Sequence, residues 1–145
     1  GDDWVDSVKQ LQLLLEEGDG IYRMMQVTGE EGIAMDDYVK WQKSVLLDMV
    51  YLQQDAFDEV DCSMSRDRQG ESFRFLKSLV DTNYNFSDRD RAREFFTRMT
   101  SLYKNWNYSP TGSEDYRRYL EEMKALAEEQ KGYPERRSTD RSPEY

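Results

Sequence analysis

Histidine is absent from this sequence of 145 residues, and cysteine occurs once, at Cys62. The first absence removes imidazole acid–base chemistry and histidine metal ligation. The second removes any intrachain disulfide and fits an intracellular chain. Proline is scarce, and Pro110, Pro134 and Pro143 all fall in linker-like stretches. No apolar run approaches the roughly 20 residues that a membrane helix needs, and no secretory signal is visible. Basic charge is also short. Against 30 Asp and Glu stand 20 Lys and Arg, a net charge of −10. That balance argues against a nucleic-acid partner. A nucleotide-binding chain is expected to carry Gly-x-x-x-x-Gly-Lys-Ser/Thr, and the motif is missing. The first residue is Gly1 rather than Met, which reads as the cut or processed end of something longer.

What is present is helix-forming. Leu, Met, Glu, Gln, Lys and Arg fill the periodic segments, and no stretch alternates apolar and polar residues for long. The fold class is all-α, a bundle of about five to six helices. A first helix is expected over residues 3–17, with Trp4, Val8, Leu11, Leu14 and Leu15 on one face. Gly18, Asp19 and Gly20 read as its stop. A short helix over 21–27 and an acidic, turn-rich loop over 28–35 follow. Asp36 and Asp37 then open a central helix, where their charge suits the positive end of the helix dipole and Asp36 can also cap. A helix over 68–83 buries Phe73, Leu76, Leu79 and Val80. Ser87 and Asp90 have the spacing of a capping box. They precede a long helix to Trp106, with Phe95, Phe96, Met99 and Tyr103 inward. The last helix covers 113–129. Residues 1–130 read as one helical domain, and 131–145 as a polar tail expected to be poorly ordered.

The organising stretch is residues 49–62, at the end of the central helix over 36–57. At about 3.6 residues per turn, Tyr38, Trp41, Val45, Met49, Leu52 and Ala56 form one apolar stripe. Val39, Leu46, Val50 and Phe57 form a second beside it. Such a helix is central and mostly buried. Its remaining face, Lys40, Lys43, Ser44, Leu47, Tyr51 and Gln54, starts charged and turns apolar near Tyr51, where something else is expected to dock. Periodicity alone makes Tyr51 and Phe57 core packing.

The run Leu52-Gln53-Gln54-Asp55-Ala56-Phe57, followed by Glu59-Val60-Asp61 and Cys62, resembles the end of a central helix in the catalytic A subunit of V/A-type ATP synthases. That family typically reads Leu-Gln-Gln-Asn-Ala-Phe, so Asp55 stands in place of Asn. Gln26-Val27-Thr28-Gly29 resembles the Gln-Leu-Val-Gly that precedes the acidic loop. The similarity is strongest over residues 4–80. After residue 81 it weakens, and the segment to residue 129 is longer and more aromatic than typical members.

The resemblance implies a C-terminal helical bundle below a nucleotide-binding domain, in a ring where A and B subunits alternate around a central rotor. It implies that Glu30, Glu31, Asp36 and Asp37 lie where the family touches the rotor. It also implies that Tyr51 and Phe57 stand near the adenine of ATP or ADP, held with Mg by the full subunit. The implied partners are the B subunit and the central stalk, and the implied location is cytoplasmic, peripheral to the membrane. Read from the residues alone, the loop is a solvated acidic turn.

No catalytic or metal site is expected in this chain, and no cofactor. Asp58, Glu59 and Asp61 lack the spacing of a calcium loop. Cys62 lacks a histidine partner. Gln53 and Gln54 fit either a hydrogen bond to a neighbouring domain or a surface role. The rival reading is a stand-alone acidic helical adaptor that binds partner helices in a groove.

Overall fold

Two helical hairpins with a helix between them account for the described residues. The structure is a computed structural model. It describes residues 2–60 and 66–132, with side chains for residues 4–50 and 68–132. Helix α1 (Asp2–Thr28) turns through a single 3-10 turn (Glu30–Gly32) into α2 (Met35–Val60). Helix α3 (Arg66–Asp81) follows, and α4 (Arg89–Tyr108) and α5 (Glu114–Glu129) form the second hairpin. Both hairpins are antiparallel. Tyr22 stacks on Trp41 while Gly18 meets Ser44, and Trp106 lies against Tyr116 while Arg98 faces Glu122.

The expected stop at Gly18 to Gly20 is corrected: α1 runs through it unbroken. Gly18 is buried against α2, and an added Cβ would stand 2.0 Å from Ser44 Oγ. The glycine is there to let two helices touch. The buried face of α2 keeps the expected Tyr38, Leu46 and Val50 but extends beyond the two expected stripes. Ser44 and Leu47, assigned to the open face, are buried, with Leu47 at 0% exposure. Val45, assigned to the inner stripe, is 38% exposed.

The core gathers Leu46, Leu47 and Val50 of α2 with Leu11, Leu76, Met99 and Met123 from the other four helices. Tyr84, Phe86, Phe95 and Phe96 form an aromatic cluster with ring centroids 4.8 to 6.0 Å apart. Helix α3 joins α4 through a buried polar pair, in which Tyr103 donates to the Ser72 carbonyl at 2.8 Å. Arg68 spans the end of α4, donating to the carbonyls of Trp106 at 3.0 Å and Asn107 at 2.8 Å. A cation suits that negative helix end.

The helix starts are capped as short polar side chains dictate. Ser113 accepts from the Tyr116 amide at 3.1 Å at the start of α5. For α4 the cap is Asp88, accepting from the Arg91 amide at 2.9 Å, one residue later than the Ser87 expected. For α2 the Tyr38 amide bonds to the Ala34 carbonyl, so Asp36 lies inside the first turn and does not cap. At the far end of α5, Lys131 pairs with Tyr84 in a β-bridge, and the Gly132 amide donates to the Asn83 carbonyl at 2.8 Å. Residues 133–145, the rest of the polar tail, lie outside the described residues.

Candidate functional site

The acidic loop is a tight turn held from two sides. Gly29 takes φ +81°, a region that favours glycine, and its amide closes α1 on the Met25 carbonyl at 2.8 Å. The 3-10 turn then places Ile33 with its side chain 3% exposed, in the core. The Ile33 carbonyl accepts a hydrogen bond from Arg89 of α4. The same guanidinium lies over the Tyr38 ring, 5.8 Å from its centroid. Tyr38 is fully buried, and its hydroxyl accepts from Gln42 at 3.0 Å. One turn along α4, Arg93 bridges Glu30 at 2.5 Å and Asp90 at 2.7 Å.

The four acidic residues singled out in the sequence therefore divide. Glu30 is half-buried and engaged inside the chain. Glu31, Asp36 and Asp37 are exposed and make no ion pair among the described residues. Sequence reasoning missed Arg89 and Arg93, which lie about 60 residues from their partners and outside any local pattern.

Tyr51 and Phe57 lie on the last turns of α2, and their side chains are outside the described residues. The backbone separates them from the loop. From Asp37 to Phe57 the unbroken helix rises about 30 Å, at about 1.5 Å per residue. The two expected sites thus belong to opposite ends of one rod. Docking was expected near Tyr51. Between the two ends, an open cleft of about 370 Å³ lies between α2 and α4, lined by Val45, Met49, Phe96, Thr100 and Lys104 among others.

Lys43 is a further residue that the sequence did not single out. Its ammonium donates to the Thr82 carbonyl at 2.8 Å and sits 5.3 Å from the Tyr84 ring centroid. Burial lowers its pKa from the ordinary 10.5 to about 8, with Asp81 opposing the shift and Lys40 adding to it. Asp58, Glu59, Asp61 and Cys62 also lie outside the residues whose side chains are described. Among the described residues, no group of three or more potential ligands is placed to hold a metal ion. No helix among them is long and apolar enough to cross a membrane.

Residues 1–85 match the family described as the C-terminal domain of V and A type ATP synthase. The chain is 38% identical over 129 residues to the V-type ATP synthase alpha chain of Protochlamydia amoebophila, covering 89% of this chain and 22% of that one. The corresponding protein of Chlamydia abortus is 41% identical over 125 residues, 86% of this chain and 21% of its own. That of Treponema denticola is 35% identical over 120 residues, 83% of this chain and 20% of its own. The chain therefore spans about a fifth of the length of the curated relatives it matches. No solved structure gives a significant match. The family match ends at residue 85, near where the motif resemblance fades. A match of 129 residues in a chain of 145 nevertheless runs on across α4, so these relatives share the segment beyond.

Proposed function

The chain belongs to the family of the C-terminal domain of V and A type ATP synthases, and we propose that it serves as the helical C-terminal domain of a catalytic A subunit. The family match over residues 1–85, with relatives named as V-type ATP synthase alpha chains, carries this reading. The complete subunit makes or hydrolyses ATP with Mg, coupled to ion movement by rotation. This domain performs no catalysis itself. It works at the cytoplasmic face of the membrane as part of the assembled complex, beside the B subunit and the central stalk.

Two surfaces give the domain its work. Glu31, Asp36 and Asp37 meet a basic surface of the rotating stalk. Their exposure, and the lack of an ion pair to any of them among the described residues, support this, because opposite charge speeds and orients association. Tyr51 and Phe57 lie against the adenine of nucleotide held by the preceding domain. An unbroken α2 between these two places is what mechanical coupling needs, since a rigid rod moves both ends together.

Binding of the complete A subunit to the central-stalk subunit, measured across a salt series, tests the first surface. Affinity should fall as salt rises. The triple variant Glu31→Gln, Asp36→Asn, Asp37→Asn should weaken binding and flatten the salt slope. An unchanged slope would remove the rotor assignment.

A further inference from the structure

The acidic loop is held from within its own hairpin and also from outside it. Within the hairpin, the Gly29 amide donates to the Met25 carbonyl at 2.8 Å, the Gly32 amide to the Gly29 carbonyl at 3.1 Å and the Ile33 amide to the Glu30 carbonyl at 3.2 Å, and the Thr28 hydroxyl donates to the Gly29 carbonyl at 3.0 Å. A second grip comes from α4, more than 50 residues later in the chain. Arg89 donates to the Ile33 carbonyl, which accepts no backbone bond of the turns and loops among the described residues. Ile33 is thereby fixed twice, by its side chain in the core and by its carbonyl on a guanidinium. The guanidinium is fixed in turn by the buried Tyr38 ring at the start of α2. Arg93 holds Glu30, and its second arm is tied to Asp90 on its own helix. The anchor itself is stiff, because α4 enters through the capping carboxylate of Asp88 and is backed by Phe95 and Phe96 in the aromatic cluster.

Charge selection accompanies this grip. The two arginines consume one carboxylate and one carbonyl of the loop. They leave Glu31, Asp36 and Asp37 exposed and without an ion pair among the described residues, beside or between the buried Ile33 and Tyr38. Both arginines also lie past residue 85, where the family match stops.

We propose that α4 is a brace for the acidic surface: Arg89 and Arg93 are positioning residues that hold the loop in one conformation, so that Glu31, Asp36 and Asp37 face a partner as a preformed set. The role as partner surface rests on the rotor reading above, whereas the brace itself does not. A braced loop meets its partner without first losing conformational freedom. It also passes a load on the loop into α4 as well as along α2.

Hydrogen exchange on the whole chain tests the brace without any partner. Arg89→Ala should raise exchange at the Gly32, Ile33 and Tyr38 amides about tenfold or more, as loss of a charge-assisted hydrogen bond predicts. Amides in the middle of α5 should keep their protection. Arg93→Gln, at the exposed end of the brace, should loosen Gly32 and Ile33 to a smaller extent without unfolding. Arg89→Lys, which keeps a donor to the carbonyl, should restore part of the protection. A uniform rise over all helices, or no local rise in either variant, would overturn the proposal.

Stalk binding by the complete subunit then separates the two ideas. If brace and rotor reading both hold, Arg89→Ala weakens binding but keeps the salt slope, because the three carboxylates remain. If only the brace holds, exchange rises locally and no variant changes stalk binding. If only the rotor reading holds, the charge variant loses binding while exchange in Arg89→Ala stays unchanged.

Discussion

Gly18 and Ser44 touch where α1 crosses α2, so closely that a Cβ on Gly18 would lie 2.4 Å from the Ser44 Cβ as well as 2.0 Å from its Oγ. No side chain fits there without parting the helices. Gly18→Ala should therefore destabilise the chain by ~1–3 kcal/mol, the usual range for overpacking. That outweighs the ~1 kcal/mol by which Ala exceeds Gly as a helix former. Gly20 is the built-in control. It lies in the same helix with nothing within 4 Å of an added Cβ. Gly20→Ala should stabilise by ~0.5–1 kcal/mol. Urea denaturation of the two variants should give shifts of opposite sign. Shifts of the same sign would mean that the helices do not meet at Gly18.

The buried face of α2 includes Leu47 as well as the expected Leu46 and Val50, and leaves Val45 out. Leu47 is fully buried and Val45 is 38% exposed. Leu47→Ala should cost ~2–5 kcal/mol through lost burial and the cavity left behind. Val45→Ala should stay within about 0.5 kcal/mol, as surface changes do. Thermal melts of both variants check this. A larger loss from Val45→Ala than from Leu47→Ala would restore the faces read from periodicity.

Periodicity found the helices because each buries an apolar stripe, and in α4 the expected Phe95, Phe96, Met99 and Tyr103 are all buried. It failed at Gly18 because a glycine that ends a helix and a glycine that lets two helices touch look alike in one sequence. Only the residue opposite, Ser44, separates them, and it lies 26 positions away. The acidic loop was legible for a similar reason in reverse, since Gly29, Glu30 and Glu31 are local signals. Its brace was not, because Arg89 and Arg93 reach it through the fold. Lys43 was hidden by its charge. Lys40 and Lys43 share a face that reads as charged, and only the fold brings the Thr82 carbonyl over Lys43.

Lys43 gives stability a pH dependence of defined sign. Its folded pKa of about 8 lies below the ordinary 10.5 that the unfolded chain is taken to have. Below pH 8 both states hold the proton, and the cost of burying the charge is present in full. Between about 8 and 10.5 the folded chain has released a proton that the unfolded chain retains. The unfolded state then binds more protons, so stability rises with pH, by an amount on the order of 3 kcal/mol. Burial pushes the hydroxyls of Tyr84 and Tyr103 in the opposite direction, well above their ordinary 10.0. Above pH 10 their ionisation in the unfolded chain therefore lowers stability again. Denaturant midpoints should climb from pH 8 toward 10 and fall beyond it. Lys43→Met should flatten the climb and leave the fall. A climb that survives this substitution would place its origin elsewhere.

The last expectation concerns nucleotide. This chain by itself should not bind ATP measurably, although we assign it part of an adenine pocket. Its net charge of −10 repels phosphate, and its sequence has no Gly-rich phosphate loop to present backbone amides to an anion. Tyr51 and Phe57 offer at most a stacking surface, which by itself is too weak to hold a triphosphate. In the complete subunit the situation reverses. On the proposed reading the phosphates would be anchored by the preceding domain, and the rings would need only to press on a base already in place. Phe57→Ala should then weaken nucleotide binding while leaving the step at the γ-phosphate nearly unchanged, because the lost contact is equal in ground and transition states. Calorimetry on the chain and nucleotide titration of the complete subunit read the two halves separately. Micromolar binding by the chain would reveal an anion site of its own. Unchanged affinity in the Phe57→Ala subunit would place the adenine away from this end of α2.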